Sequence, residues 1–346
     1  LEGNFKERQL RNRLSVNSRG IKFKSDLRFD FENETPTYTL AANIQELDLN
    51  LVGLNFGENK RIFKAVILSD FKGKKLDRLE GKVNISSASI KYGSETVNIN
   101  PISIIQEIKG PNTQLLIVNT DCISGSLKGQ FDVREIGSIF QNTLNNVYRF
   151  IPSNEIKKNQ KLSFNLTIFE KLLDALYPDF SISDNVILKG TISTDAKDSQ
   201  IVFDAPLLTW NELKLENIHF QIDTKNPIYN TFLNVGYISH KHYSGKDFSL
   251  ISTKINDTLY FRSEFVDEKR NESAFELNFY HTLKQNKISL FGLKKSKIPI
   301  GSEIWILNPK NTNRQKLSYS LSNNTFNLSN FLAISGNQSI ELSGIH

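Results

Sequence analysis

His240 and His242 stand two residues apart in the run SHKHY. On a strand, where side chains alternate between faces, their imidazoles would project to the same side and could share a metal ion. No third ligand of suitable type lies nearby, so the pair reads as two surface imidazoles. His219 and His281 alternate with Phe and Tyr on strand-like runs and are expected on polar faces. Carboxylate pairs occur only in turns or on polar faces, as at Asp174 and Asp179 or Asp267 and Glu268. No apolar pocket is implied there that would raise a pKa for acid or base work. The strings that mark a nucleophile elbow (GxSxG), a P-loop, a dinucleotide turn (GxGxxG) or a zinc protease (HExxH) do not occur. These residues point away from an enzyme, and no cofactor and no metal are expected. Asn-x-Ser/Thr triplets at Asn84, Asn165 and Asn256 are expected by chance in a chain so rich in Asn and Ser.

Composition narrows the class further. The 346 residues are 38% hydrophobic and 10% aromatic, which excludes a disordered chain and suffices for two ordinary domains or one extended array. Lys plus Arg number 43 against 37 Asp plus Glu, a net charge of +6, with the two signs interspersed along the polar sides of strands. A nucleic-acid reader gathers its basic residues on one face with aromatics between them. The nearest approach, Lys6, Arg8, Arg11, Arg13 and Arg19, reads as a solvated chain end, so no nucleic-acid partner is expected. The single Cys122 rules out an internal disulfide, which fits a reducing compartment or an exported protein that does without one. No apolar run reaches the roughly 18 to 20 residues of a membrane-spanning helix, so an anchor or export signal would lie outside this sequence. The count of zero Met suggests a section excised from a longer protein, or modified methionines missing from the printed residues.

The elements that must position any site are strands. From Leu68 to Tyr92 short apolar-polar alternations are punctuated by Gly73 and Gly81, which reads as strand, turn, strand, turn, strand. Leu79, Gly81, Val83 and Ile85 fall on one side of the repeat and Glu80, Lys82 and Asn84 on the other. The same construction recurs at Ile123 to Val133 and at Asn185 to Ile192. From Ile21 to Phe31 the odd positions are mostly apolar and the even ones charged; Tyr38, Leu40, Ala42 and Ile44 restart the pattern, and Leu47, Leu49 and Leu51 continue it as strand. An amphipathic helix is expected from Arg134 to Phe150, where Ile136, Ile139, Phe140, Leu144, Val147 and Phe150 are spaced by three and four, with Pro152 as its stop. A shorter helix is expected at 169–177 before Pro178, after a strand carrying Leu162, Phe164, Leu166 and Ile168. Beyond Val186 short alternating runs return at about ten- to twelve-residue spacing, the mark of an all-β chain, with roughly 25 to 30 strands in total. The expected organisation is a β-groove segment at 1–133, an amphipathic helix at 134–152 and a second β-groove segment at 153–346.

Three runs then carry a resemblance: NIQELDLNLVGL from Asn43 to Leu54, LSDFKGKKLDRLEGKVNI from Leu68 to Ile85, and VNTDCISGSLKGQF from Val118 to Phe131. Together with NDTLYFRSEF (Asn256 to Phe265), ELNFYHT (Glu276 to Thr282), IWILNP (Ile304 to Pro309) and QSIELSG (Gln338 to Gly344), they look like the Bacteroidetes branch of TamB, the translocation and assembly module family. The resemblance covers most of the chain. It implies a periplasmic protein anchored in the inner membrane by a segment outside this sequence and related to AsmA-like and bridge-like lipid-transfer proteins. It also implies an outer-membrane assembly factor of the TamA type as partner, through regions outside this section, and no catalytic residues. The fold implied is an elongated, curled antiparallel β-sheet, a trough with an apolar interior for phospholipid acyl chains.

The residues reach the trough from their own side, because a sheet with one apolar face must fold onto a second sheet, curl, or hold something greasy. Phe29, Phe31, Leu40, Ile44, Leu49, Leu51, Phe63, Ile67, Val83, Ile85, Leu127 and Phe131 are expected to line one continuous apolar interior, partly covered by the helix. Alternation alone leaves open whether this is an open trough or a sandwich filled by its own side chains. It also leaves a competing class, a β-scaffold that binds protein or glycan, for which Trp210 and Trp305 are the indicator residues.

Overall fold

Period-two alternation broken by turn residues commits a backbone to hairpins, since each strand finds its hydrogen-bonding partner in the chain that has just reversed. The computed structural model describes residues 2–345 other than 7, 53–59, 76–77, 149–150, 172–179, 184, 196–197, 227, 242, 268–273, 285–287, 301–302, 321 and 323. Among the described residues the chain forms 25 strands and one α-helix, α1 (Ile136–Val147). It is all-β with antiparallel ladders throughout. Two units are formed, Leu1–Arg134 with Asn159–Gly190, and Glu135–Lys158 with Thr191–His346. No helix among the described residues is long and apolar enough to cross a membrane.

The first unit holds β1 (Glu2–Lys6), β2 (Gln9–Ser18), β3 (Ile21–Asp30), β4 (Thr37–Asp48), β5 (Arg61–Lys72) and β6 (Glu80–Tyr92). It continues with β7 (Glu95–Ile99), β8 (Ile102–Gly110), β9 (Thr113–Asn119), β10 (Ile123–Gln130), β11 (Lys161–Ile168) and β12 (Phe180–Ile182), and β13 (Val186–Ser193) begins in it. Cross-strand partners decide which side chains share a face. One row runs Leu27, Leu40, Ser69, Val83, Ile104, Val118, Gly125, Leu166 across β3, β4, β5, β6, β8, β9, β10 and β11. The adjacent row on the other face runs Asp26, Ala41, Leu68, Asn84, Ser103, Asn119, Ser124, Thr167. A bulge keeps the apolar face in phase. Ser87, at φ 50°, falls where the β5–β6 register shifts, so Val83 and Ile85 before it and Ala88 and Ile90 after it come to the same side. The sequence changes phase at that residue too.

The second unit carries α1 and β14 (Asp198–Trp210), β15 (Leu213–Asp223), β16 (Thr231–His240), β17 (Tyr243–Ile255), β18 (Thr258–Asp267) and β19 (Ala274–Lys284). Then come β20 (Ile288–Leu293), β21 (Ser296–Ile300), β22 (Glu303–Leu307), β23 (Lys316–Ser320), β24 (Thr325–Ser335) and β25 (Gln338–Ile345). Up to β20 each strand pairs with the next in the chain. β20 then pairs with β23, while β21 and β22 form a hairpin. Trp305, Leu307 and Ala333 make a buried cluster there, with Leu277, Leu293, Ile298 and Phe331 packed on it.

Several expectations are corrected. Among the described residues of Leu68 to Tyr92 there is no reversal at Gly81, which lies inside β6 opposite Phe71. A Cβ at Gly81 would overlap the Asp70 carbonyl and the Phe71 ring, so the glycine serves close strand approach rather than reversal. Leu49 and Leu51 are not strand residues but sit in a 3-10 turn, Leu49–Val52. Asp48 starts it by accepting the Asn50 backbone N–H at 3.1 Å, the local bond by which Asp diverts a chain from its ladder. Helix α1 is shorter than Arg134 to Phe150: Arg134 belongs to a preceding 3-10 turn, and Phe150 lies outside the described residues. The helix expected at 169–177 falls mostly outside them as well. Arg11 and Arg13 are not a solvated chain end but ladder residues of β2, paired with Arg28 and Asp26.

Gly125 adopts φ +138°, and a Cβ on it would overlap the Asn165 carbonyl. Gly125→Ala should therefore lose about 1–3 kcal/mol in urea unfolding. Gly110→Ala, where a Cβ meets open space, should stay within about 0.5 kcal/mol.

Candidate functional site

The second unit concentrates aromatic side chains on one face of its sheet. The row Phe203, Phe220, Leu233, Leu250, Ser263, Leu277 crosses β14 to β19 on one side, and Phe261, Phe279, Leu293 run beside it. Directly opposed rings stack: Phe261 on Phe279 at 4.7 Å between centroids, Phe265 on Phe275 at 4.2 Å, His281 on Phe291 at 4.1 Å and Tyr319 on Phe326 at 4.4 Å. Such cross-strand pairs each add a fraction of a kcal/mol to a ladder. They also build a continuous apolar wall. Leu277, Phe279, Phe291, Leu293, Leu317 and Phe331 line a hollow of about 340 Å³ on it, while Phe291, Leu317 and Phe326 remain 39%, 37% and 44% exposed.

The C-terminal end of helix α1 meets one end of this wall. Tyr148, just past the helix, stacks on His281 at 6.0 Å, and the Lys254 amine donates to the Asn146 carbonyl at 2.5 Å, near the helix C-terminus, where a cation is favoured. Ile139, Thr143 and Val147 form the buried stripe of the helix. His281 was expected on a polar face and is instead buried on the apolar one, opposite Leu259 and Phe291. Its Nε2 is 2.9 Å from the Ser289 hydroxyl, and desolvation pushes its pKa below the usual histidine value. Burial likewise pushes the Tyr148 phenol up, so both rings are neutral at pH 7.

In the first unit, Phe29, Leu40, Ile44, Phe63, Ile67, Val83, Ile85 and Leu127 fall on the apolar face by register. Leu127 is buried, whereas the other seven are only half-buried. Phe31 stacks on Phe29 at 6.3 Å yet is 40% exposed, Phe131 is buried just after β10, Leu49 is buried in its 3-10 turn, and Leu51 is 57% exposed. The sequence reading named no lining residue in the second unit. The signal was present in FRSEF and FELNF, where Phe recurs at i and i+4 and so returns to the same side of a strand.

The groups that could do chemistry are dispersed. His240 Nε2 lies 3.9 Å from Glu212 on the surface, and His242 is outside the described residues. His219 Nδ1 contacts the Asp204 carboxylate at 2.5 Å on the polar face. Burial, with the Asp121 charge beside it, pushes the Cys122 thiol up and keeps it protonated. Among the described residues no group of three or more His, Cys, Asp or Glu could hold a metal ion. Trp305 is buried in the β21–β22 cluster, and Trp210 is 55% exposed where β14 ends. No family profile, no curated protein and no solved structure matches the chain.

Because the folded protein holds His281 neutral below the ordinary value of 6.5, the unfolded chain binds the extra proton first. Stability contributed here is present above pH 6.5 and is lost as pH falls through the lower folded value. Chemical denaturation between pH 7 and 5 should show this slope, and His281→Phe should flatten it.

Proposed function

We propose that this chain is a non-enzymatic section of an envelope protein of the TamB type, whose one-sided apolar sheets hold phospholipid acyl chains. On this reading it works in the periplasm, held to the inner membrane by a segment outside this sequence. It supports outer-membrane biogenesis by carrying phospholipid, by assisting outer-membrane protein assembly, or by both. A TamA-type assembly factor is the implied partner through other regions.

The observation that supports this most is the half-open aromatic hollow of about 340 Å³ in the second unit. Its size falls in the range of small-molecule pockets, about 300 to 1,000 Å³. A side-chain-filled sandwich would not leave Phe291, Leu317 and Phe326 more than a third exposed. Each methylene moved from water onto such a wall stabilises the complex by about 0.8 kcal/mol. The competing reading, a scaffold for protein or glycan, keeps Trp210 as an exposed platform but not Trp305, which is buried.

Native mass spectrometry of the purified chain should find phospholipid retained by the wild type and lost from Phe291→Asp and Leu317→Asp, with circular dichroism and melting little changed. A charge at a half-exposed wall keeps its water, whereas in a packed core it is desolvated at a cost of several kcal/mol. A lipid-free wild type together with unfolded variants would mean a self-filled core. Retention of a glycan lost in Trp210→Ala would favour the scaffold.

A further inference from the structure

The face of the first unit opposite its apolar rows carries an arrangement that acyl-chain carriage does not use. Arg11 and Arg28 are direct cross-strand neighbours, as are Arg13 and Asp26, so three guanidinium groups surround one carboxylate. Arg11 takes both Asp26 oxygens, and the Nε atoms of Arg13 and Arg28 pair with it more loosely at 3.6 and 3.5 Å. The Arg11 hydrogen bonds hold Asp26 well below the usual carboxylate range, so it stays charged. One negative charge still faces three positive ones. Like charges directly opposed on a ladder are unfavourable, and an anion would relieve the excess.

The cations frame a floor that is not polar. Asp26, Ala41 and Leu68 lie in one cross-strand row, and all three line both of two adjoining hollows of about 570 and 320 Å³. Val66 extends the floor of the larger hollow, with Arg13 and Lys24 beside it. Arg28 and Lys82 edge the smaller one, with the Asp70 carboxylate between them. Leu68 is 52% exposed at the centre, and the small Ala41 next to it leaves the depression open.

We infer that this face binds an anionic phospholipid, with the headgroup phosphate held by Arg13 and Arg28 and the first part of the lipid's apolar portion lying on Ala41, Val66 and Leu68. Guanidinium forks suit phosphate oxygens, and charge complementarity with the surplus around Asp26 selects an anionic headgroup over a zwitterionic one. The inference does not rest on acyl-chain carriage by the opposite face.

The test is calorimetric titration of the whole chain with monomeric dihexanoyl phosphatidylglycerol, dihexanoyl phosphatidylcholine and inorganic phosphate, at low and high salt. The phosphatidylglycerol should bind most tightly, more weakly in high salt, and at least about tenfold more weakly to Arg13→Gln/Arg28→Gln. Asp26→Asn, which removes the competing carboxylate and frees Arg11, should bind it more tightly, a gain that a merely structural cluster would not give. Ile67→Asp, on the opposite face, should leave this binding unchanged, which separates the site from the proposed acyl-chain wall. Binding of phosphatidylcholine or inorganic phosphate as tight as that of phosphatidylglycerol would overturn the inference. So would wild-type affinity in the double Arg variant, or weaker binding in Asp26→Asn. Should the double variant fail to fold, Lys24→Gln/Lys82→Gln should give a smaller loss, and no loss would equally overturn it.

Discussion

The ladder hydrogen bond between a strand and the chain neighbour that has just turned back on it governs this protein. Antiparallel pairing with the next strand fixes the register, and register fixes the face on which every side chain stands. With a period of two, one slip would carry a whole strand's apolar set to the wrong side. The chain meets this constraint in two ways. Directly opposed rings such as Phe265 and Phe275, 4.2 Å apart, fit only the observed register. Bulges such as the one at Ser87 absorb a residue where the alternation itself changes phase.

A sheet built this way acquires an apolar face faster than it acquires a cover for it. Tyr148, just past helix α1, shields the His281 end of the second unit's wall, and Trp305 with Leu307 fills the β21–β22 corner. Between them the wall around Phe291 and Leu317 stays open. In the first unit the seven residues from Phe29 to Ile85 on the apolar face of β3 to β6 are likewise only half-buried. Apolar side chains left exposed together on one face form a binding surface or a liability, and the proposed function takes them as the former.

Much of this was legible from residue order. The all-β class, the antiparallel hairpins, the helix with its apolar stripe and the shared face of Leu40, Ile67 and Val83 follow from period-two and period-3.6 patterning. Local chemistry that competes with patterning was not legible. Leu49 and Leu51 continue the alternation on paper, but Asp48 bonds the Asn50 N–H and turns the chain. Gly81 looks like a turn residue, yet its missing side chain is needed where β5 and β6 approach. His281 resembles a polar-face histidine until the Tyr148 and Phe291 rings are seen on either side of it. The arginines of β2 look like a solvated end until their partners on β3 are known.

The central claim is that the second unit's aromatic wall is open to acyl chains. It is tested most directly by placing a photo-crosslinking amino acid at Phe291 on the wall and, separately, at Arg262, which lies on the other face of β18 and is bound to Glu264 at 3.0 Å through Nε. After irradiation with phospholipid, adducts should form from position 291 and not from position 262. Equal adducts from both positions, or none from 291 in a folded protein, would contradict it.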